Sequence, residues 1–271
     1  MYYLGLCAII KDETPFLEEW VAYHMHLGVE AFYLYDNGSR TPVRETLRPF
    51  ERFHTRESLR IHNAPGERIQ MITYGHCLAA YAGKCRWIAF MDLDEFVVPK
   101  RHESIPGMLE EFEPYAGLAL NWQVFGSNGH LTRPEGLQIE NYTRALAPDL
   151  PVHRHVKSIV KPDRASFFPN PHLCGLNQPG DAVVTENHEP LFRPRTDTPS
   201  REKGQVNHYY YRSKKDFYAK LRKPRADYSG MRKAAGNLIL SGDYEDRSAC
   251  RFAPGVNNIL AAVRRPREDS P

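Results

Sequence analysis

Short apolar runs and segments with helical spacing alternate along the first hundred residues. Each apolar run is bounded by turn-forming residues and is too short for a typical helix, so each run predicts a buried strand. The predicted strands cover residues 2–10, 31–35, 59–62 and 87–91. Between the first two runs, residues 16–27 repeat apolar side chains at helical spacing. We predict that this helix is capped by Thr14 with Pro15 at its first position, and that a second helix spans about 67–82.

This order of elements predicts the fold class. Strands that alternate with helices favour a parallel sheet with right-handed crossover connections. We therefore predict an α/β fold, with a mostly parallel central sheet flanked by helices. Ligands of such open sheets collect at the carboxyl ends of the strands, where Asp36 and Asp92 fall.

The alternation weakens in the second part of the chain, which is rich in loops and proline. The elements predicted there are a helix near 105–112, strands over 118–124 and 156–160, and a helix that begins at residue 213. Ser213 and Asp216 stand at the spacing of a capping box, which supports a helix start at that point. We interpret this part as an elaboration of the first and not as a second domain.

The composition fits a single globular domain. The chain has 271 residues, of which 41% are hydrophobic and 25% charged, as in ordinary folded proteins. We predict one domain over 1–250, with an N-terminal half of about 1–100 and a loop-rich half of about 101–250. A C-terminal tail is predicted over 251–271.

Charge and cysteine content narrow the class of protein. The net charge of +3 is too small to argue for a nucleic-acid partner. The five cysteines include no C-x-x-C pair, which indicates reduced thiols and neither a disulfide framework nor a zinc site. No stretch approaches about 18 consecutive apolar residues, so we predict no transmembrane segment. We expect a cytoplasmic protein that can still touch a membrane through its surface.

Three acidic residues directly follow the predicted central strand. In an extended segment, Asp92 and Asp94 point to the same side, while Leu93 points away. Hard divalent cations prefer such oxygen ligands, and phosphate oxygens commonly complete the shell. A cation held there would offset the charge that develops on a departing nucleoside diphosphate. A solvated acidic turn is the alternative, because a D-x-D tripeptide alone is common by chance.

The same acids also allow a second class of enzyme. In haloacid-dehalogenase-like phosphatases, two aspartates after a strand act as nucleophile and acid. Phe96 stands where that class has threonine or valine, and the motif follows the fourth predicted strand and not the first. A non-catalytic carbohydrate-binding domain is the other alternative.

Six segments, in this order, resemble glycosyltransferase family 92. They read FLEEWVAYH from residue 16, YLYDNGS from 33, WIAFMDLDEFVVP from 87, FGSNGH from 125, KSIVKP from 157 and NHY from 207. The resemblance covers roughly residues 1–230 and is far more specific than D-x-D alone. It implies a GT-A (Rossmann-like) fold and transfer of a hexose, with inversion, from a nucleotide-sugar donor to a glycan or glycolipid acceptor. The donor is UDP-galactose in characterised relatives, and the usual metal is Mn²⁺, with Mg²⁺ as the alternative.

The resemblance also implies roles for residues near the metal. Asp94 would bind the cation directly, with Asp92 near the ribose or bridging through water, while Glu95 orients a neighbour. His208 would be the second ligand, unless it is a structural histidine packed among the tyrosines that follow it. His172 and His188 are weaker competitors for that role.

The N-terminal half, about 1–100, would then bind the donor. Asp36 would read the donor base with Asp12 nearby, although a plain turn is the alternative for both residues. Arg222, Lys223 and Arg225 could close over the diphosphate, because guanidinium binds phosphate in bidentate fashion. Solvated positions at a helix end are the alternative for these basic residues.

The half over about 101–250 would bind the acceptor. Gly126, Ser127, Asn128, Gly129 and His130 form a loop whose glycines allow a ligand to approach the backbone closely. The flat face of Trp122 could stack on a sugar or could simply pack in the core. Inversion also needs a base, for which the sequence does not choose among His130, Glu135 and Asp227.

Overall fold

One large sheet runs through the protein, in a computed structural model that describes residues 1–223, 242 and 244–265. The strands are β1 (Tyr2–Ile10), β2 (Ala31–Asp36), β3 (Leu59–Asn63), β4 (Cys85–Phe90), β5 (Glu95–Pro99), β6 (Gly117–Val124), β7 (Arg144–Ala145), β8 (Val156–Val160), β9 (Val183–Thr185), β10 (Gly204–His208) and β11 (Tyr244–Glu245). The helices are α1 (Thr14–His26), α2 (Val43–Leu47), α3 (Gln70–Tyr81), α4 (Ile105–Leu109), α5 (Gln138–Asn141), α6 (Lys214–Leu221) and α7 (Ala253–Arg264).

The sheet is parallel in its N-terminal half and mixed beyond it. Strands β3, β2, β1 and β4 lie side by side and are all parallel. Strand β8 then runs antiparallel between β4 and β6, and β10 lies parallel to β6 and antiparallel to β5. The α/β class predicted from the alternation of strands and helices is therefore confirmed.

The first helix begins differently from the prediction. Its N-cap is Glu13, without a side-chain hydrogen bond, and Thr14 is already helical. The carboxylate of Glu13 is bonded to basic side chains from the C-terminal half, which is why it does not cap its own helix. The predicted cap at Ser213 is confirmed, because its hydroxyl accepts a hydrogen bond from the backbone N–H of Asp216.

The predicted C-terminal tail starts at residue 251, but the chain is still helical and partly buried beyond that point. Helix α7 lies inside the segment predicted as a tail, and it buries Val256, Leu260 and Val263. These residues follow the helical spacing of an apolar stripe, and the helix packs against α1. Residues 266–271 lie outside the described part of the chain.

Two further sequence predictions concern cysteines and membrane segments. All five cysteines are free thiols, and four of them are buried. Among the described residues, no helix has both the length and the apolar character needed to cross a membrane.

The topology places the acidic segment next to the C-terminal half. The loop that follows β4 carries Asp92 and Asp94 to the carboxyl edge of the parallel strands. Strand β5 then pairs with β10, which sets His208 directly opposite Glu95. Residues more than a hundred positions apart in sequence thus meet at one edge of the sheet.

Candidate functional site

A cleft of about 180 Å³ opens where β1 and β4 end. One wall is the end of β1 with Lys11, and the floor is the acidic loop that contains Asp92 and Asp94. The opposite walls carry aromatic and imidazole groups from the C-terminal half together with two lysines of the α6 region. These residues are Trp122, His172, His208, Tyr210, Lys220 and Lys223. The cleft therefore joins the carboxylates of Glu13, Asp92 and Asp94 to several cationic groups.

Asp94 is the most enclosed carboxylate of the cleft. Its Oδ2 accepts a hydrogen bond from the ammonium of Lys220 and lies 3.4 Å from Nε2 of His208. Burial raises the pKa of Asp94, but Lys220, His208 and Arg212 together outweigh burial and hold the pKa well below its ordinary value. Burial lowers the pKa of His208, so the imidazole is neutral and can act as a ligand. Asp94 is thus a permanent anion beside a neutral imidazole.

Asp92 already has a positive partner inside the protein. Its Oδ2 lies 3.1 Å from Nζ of Lys157, and its Oδ1 accepts a hydrogen bond of 2.8 Å from Nε2 of Gln70. The side chain of Lys157 is fully buried and also lies 3.1 Å from Glu95. Burial lowers the pKa of Lys157, but the two carboxylates more than reverse this effect, so the lysine stays charged. The charge of Asp92 is therefore compensated without any bound cation.

Glu95 contacts both Asp92 and its partner Lys157. Its Oε2 accepts a hydrogen bond of 2.8 Å from the backbone N–H of Asp92, which fixes the start of the acidic loop. Burial raises the pKa of Glu95 to about 8, while the charge of Lys157 acts in the opposite direction. The geometry agrees with the prediction that Glu95 orients a neighbour.

Arg212 ties the acidic loop to two other parts of the chain. Its guanidinium donates to the carbonyl of Leu93 at 3.0 Å, to Glu13 at 2.5 Å and to the side chain of Gln138 at 3.1 Å. The same group lies 3.5 Å from the centre of the Phe16 ring. Arg212 is buried and adopts a φ of 49°, a conformation that costs energy for a residue other than glycine. Strain of this kind persists only where several contacts determine the backbone.

The donor set at Asp94 fits one divalent cation with few protein ligands. Two ligands of an octahedral cation with bonds of about 2.1 Å lie roughly 3 Å apart, close to the separation of Asp94 and His208. The Lys220 ammonium stands beside them as a positive charge. Within the described residues, no three His, Cys, Asp or Glu side chains form a group that could hold a metal ion. A cation here would need further ligands from a substrate or water.

The other two histidines considered as ligands lie in different surroundings. His172 lines the cleft, and its Nδ1 is 3.0 Å from the carbonyl of Val156. His188 lies outside the cleft, where its ring stacks on Phe112 with 5.0 Å between ring centres. His208 is the histidine that meets the acidic loop.

The two carboxylates predicted for the donor site, Asp36 for the base and Asp12 nearby, are engaged in turns. Asp36 accepts hydrogen bonds from the backbone N–H groups of Ser39 and Val43, at 2.8 and 3.0 Å. Asp12 accepts from the backbone N–H of Arg40 at 2.9 Å and adopts a φ of 53°. Neither side chain lines the cleft. A donor role for either residue stays a prediction.

The basic residues of the α6 region are placed differently from the prediction. Lys220 and Lys223 line the cleft, whereas Arg222 does not. Lys223 donates to the carbonyl of Asp12 at 2.7 Å. Arg225 lies outside the described residues. Among the described residues of this region, two lysines, and not Arg222, are therefore the cations that line the cleft.

Among the predicted acceptor residues, only Trp122 lines the cleft. Its ring centre is 4.2 Å from that of His208, so the indole forms a wall next to the predicted metal ligand. The loop over 126–130 lies elsewhere, held by a hydrogen bond of 3.1 Å from the backbone N–H of Arg144 to the side chain of Asn128. The acceptor role of this loop stays a prediction.

Neither of the two base candidates that the structure describes lines the cleft. His130 is 3.3 Å from the carbonyl of Asn141, and Glu135 is exposed at the surface. Asp227 lies outside the described residues.

Four side chains that contact the acidic loop were not predicted from the sequence. Lys157, Lys220, Gln70 and Arg212 are bonded to the acidic loop or its carboxylates. Lys157 stands in one of the family segments, which was the only signal available for it. Single lysine, arginine and glutamine residues are otherwise common on surfaces and produce no pattern in a sequence.

A comparison with known proteins extends this picture. The protein-family model described as Glycosyltransferase family 92 matches residues 5–236. A family 92 protein of Oryza sativa subsp. japonica is 30% identical over 175 residues, which cover 63% of this chain and 28% of the relative. A family 92 protein of Ricinus communis is 26% identical over 232 residues, which cover 81% of this chain and 37% of the relative. The chain therefore spans about a third of the length of these curated relatives.

Solved structures resemble part of the fold. The crystal structure of S. aureus TarS 1-349 shares 13% identity with a TM-score of 0.37, over 59% of this chain and 47% of that one. The same protein in complex with UDP gives 12% identity and a TM-score of 0.36, with the same shares of both chains. Overlaps of this size describe a partial superposition and no more. Because the family model matches most of the sequence and both relatives carry the same family name, the chain belongs to glycosyltransferase family 92.

Proposed function

We propose that this chain transfers a hexose, with galactose as the first candidate, from a nucleotide diphosphate sugar to a glycan or glycolipid acceptor. The donor that we favour is a UDP-hexose, and the transfer is metal-dependent and inverting. One observation carries the proposal: a buried carboxylate, a neutral imidazole and two lysine side chains meet in a single cleft at the carboxyl edge of the sheet. This combination suits a divalent cation and a diphosphate together.

Asp94 and His208 are the residues that would hold Mn²⁺ or Mg²⁺. A cation held there would supply positive charge to offset the negative charge that develops on the diphosphate as its bond to the sugar breaks. In the ligand-free protein, the Lys220 ammonium compensates Asp94. Asp92, which is compensated by Lys157, is better suited to accept hydrogen bonds from the donor than to bind the metal directly.

The lysines around the cleft would bind the diphosphate. Lys11, Lys220 and Lys223 all line it, and ammonium groups attract phosphate oxygens as point charges. Asn37, directly after Asp36, also lines the cleft and offers an amide to the nucleotide. Trp122 supplies a flat apolar face on the acceptor side, next to His208.

The contacts of Asp92 argue against the alternative function, that of a haloacid-dehalogenase-like phosphatase. A nucleophilic aspartate must be free to attack phosphorus, whereas both carboxylate oxygens of Asp92 are engaged by Lys157 and Gln70. Membership in a glycosyltransferase family agrees with this assessment. The cytoplasmic location and the nature of the acceptor remain predictions.

A thermal-shift screen of the purified protein tests the proposal. Mn²⁺ is combined with UDP-, GDP-, CDP- and dTDP-hexoses, because a ligand that binds only the folded state raises Tm. At a ligand concentration of about 100 times Kd, the stabilisation is about 2.7 kcal/mol. For a chain of this size, that corresponds to a Tm increase of about 5–10 °C. We expect this increase for a UDP-hexose with Mn²⁺ and its loss after EDTA, whereas no increase with any of the sugars would contradict the proposal.

A further inference from the structure

The cleft wall contains a histidine that is fixed at several points. The backbone N–H of His172 donates to Oδ1 of Asn170 at 2.9 Å, and its carbonyl accepts a hydrogen bond of 2.6 Å from Ser158. On the ring, Nδ1 lies 3.0 Å from the carbonyl of Val156. The edge of the ring meets Trp122, with 5.2 Å between ring centres. Both the backbone and the ring of His172 are therefore held in one orientation.

These contacts fix the tautomer of the imidazole. A carbonyl oxygen can only accept a hydrogen bond, so Nδ1 of His172 must carry the ring proton. Nε2 then presents a lone pair, and no described residue forms a hydrogen bond with it. Burial lowers the pKa of His172 to about 3, so the ring is neutral at any pH at which the protein would work. Nε2 of His172 is thus a proton acceptor that no donor among the described residues engages.

The other carboxylates of the cleft and its second imidazole are already engaged by charged partners. Asp92 and Asp94 are bonded to lysines, and Glu13 is bonded to Arg212 and Lys223. The lysines are cations, and Nε2 of His208 faces Asp94. Among the described residues that line the cleft, His172 alone combines an accessible lone pair with a fixed orientation.

We propose that His172 is the general base of the transfer, an inference that rests on the proposed function. As the acceptor hydroxyl oxygen attacks the anomeric carbon, a C–O bond forms and the bond from that carbon to the phosphate oxygen breaks. The bonding electron pair leaves with the nucleoside diphosphate. The hydroxyl proton passes to Nε2 of His172, and the resulting imidazolium later releases it to water.

A weakly basic group is sufficient for this step. The hydroxyl becomes strongly acidic as its oxygen bonds to the anomeric carbon, so little basicity is needed in the transition state. Inverting glycosidases achieve the same proton removal with carboxylates, whose ordinary pKa is only about 4. The Asp92 carboxylate raises the pKa of His172 and would stabilise the imidazolium once it forms.

The test measures release of UDP from UDP-galactose, with water as acceptor and Mn²⁺ present. His172→Ala and His172→Gln are expected to lower kcat by about 10²- to 10⁴-fold, the usual contribution of a general base. KM for UDP-galactose and the calorimetric affinity for UDP should stay close to the wild-type values, because His172 does not hold the donor. Added imidazole should partly restore His172→Ala, which leaves a cavity, and should not restore His172→Gln.

His155→Gln is the matched control, because His155 also stacks on Trp122, with 5.1 Å between ring centres, but does not line the cleft. It should keep kcat within about threefold of wild type. The inference is overturned if both His172 variants retain wild-type kcat. It is also overturned if their loss of rate follows a loss of UDP affinity and imidazole gives no rescue. Wild-type protein that releases no nucleotide from UDP-, GDP-, CDP- or dTDP-hexoses would instead overturn the proposed function, and this inference with it.

Discussion

Replacement of Asp94 by asparagine is expected to lower the rate of UDP release from UDP-galactose by about 10³-fold or more, with Mn²⁺ present. An amide keeps the shape of the carboxylate but loses the negative charge that would hold the cation beside His208. A 10³-fold loss corresponds to about 4 kcal/mol of transition-state stabilisation. That value is within the several kcal/mol that a metal ion supplies by stabilising charge.

A matched control for Asp94→Asn is Asp246→Asn. Asp246 is also a buried carboxylate, bonded to Gln205 at 2.8 Å, but it lies outside the cleft. We expect Asp246→Asn to affect stability more than rate. The double variant Asp94→Asn with Lys220→Met removes both charges of the pair, so it tests whether an uncompensated lysine causes the effect. Recovery of wild-type activity in the double variant would refute a direct role of Asp94.

Replacement of Arg212 by methionine is expected to cost about 3–5 kcal/mol of unfolding free energy, because one partner of a buried ion pair is lost. Glu13 would keep Lys223 but lose the guanidinium at 2.5 Å, and the carbonyl of Leu93 would lose its donor. Arg212→Lys retains the positive charge but cannot reach Leu93 and Gln138 at once, since an ammonium lacks the planar fork. We expect this variant to remain folded and to lose activity through a misplaced acidic loop.

Urea unfolding and Mn²⁺-dependent UDP release measure these two effects separately. Arg133→Met is the matched control, because the Arg133 guanidinium also lies over Phe16, at 4.3 Å, but is partly exposed. Loss of an exposed pair of this kind costs at most about 1 kcal/mol. If Arg212→Lys kept both stability and full activity, the link between Arg212 and the acidic loop would have no functional role.

The local pattern predicted much of the N-terminal half. Continuous apolar runs identified β1, β2 and β4, because strands buried on both faces contain few polar residues. The antiparallel insertion of β8 between β4 and β6 was not predicted. Strand order in the C-terminal half depends on contacts between distant segments, and no local periodicity encodes it.

The candidate site was also predicted only in part from the sequence. The acids Asp92 and Asp94 were visible as a motif, and the family segments pointed to His208, which the fold places 3.4 Å from Asp94. The positive partners of these acids were not predicted. Lys157 lies in a strand and Lys220 in a short helix, and only the folded chain brings either ammonium to the acidic loop.

In the folded protein, lysine side chains supply positive charge next to the acidic motif. Two carboxylates at a strand end require positive charge nearby, which the sequence alone assigned to a metal ion. The structure supplies two lysines for this purpose, Lys157 beside Asp92 and Lys220 beside Asp94. The acidic loop can therefore stay ordered before a cation binds, and a cation at Asp94 would act together with Lys220 or displace it.

Calorimetric titration of UDP into the wild-type protein, with Mn²⁺ and after treatment with EDTA, is the most direct test of the cation and diphosphate site. If Asp94 and His208 hold a cation against the diphosphate, the two ligands are coupled, and each must strengthen binding of the other by the same factor. We predict that Mn²⁺ tightens UDP binding by about tenfold or more, which corresponds to about 1.4 kcal/mol. Equal affinity for UDP with and without Mn²⁺ would contradict the account.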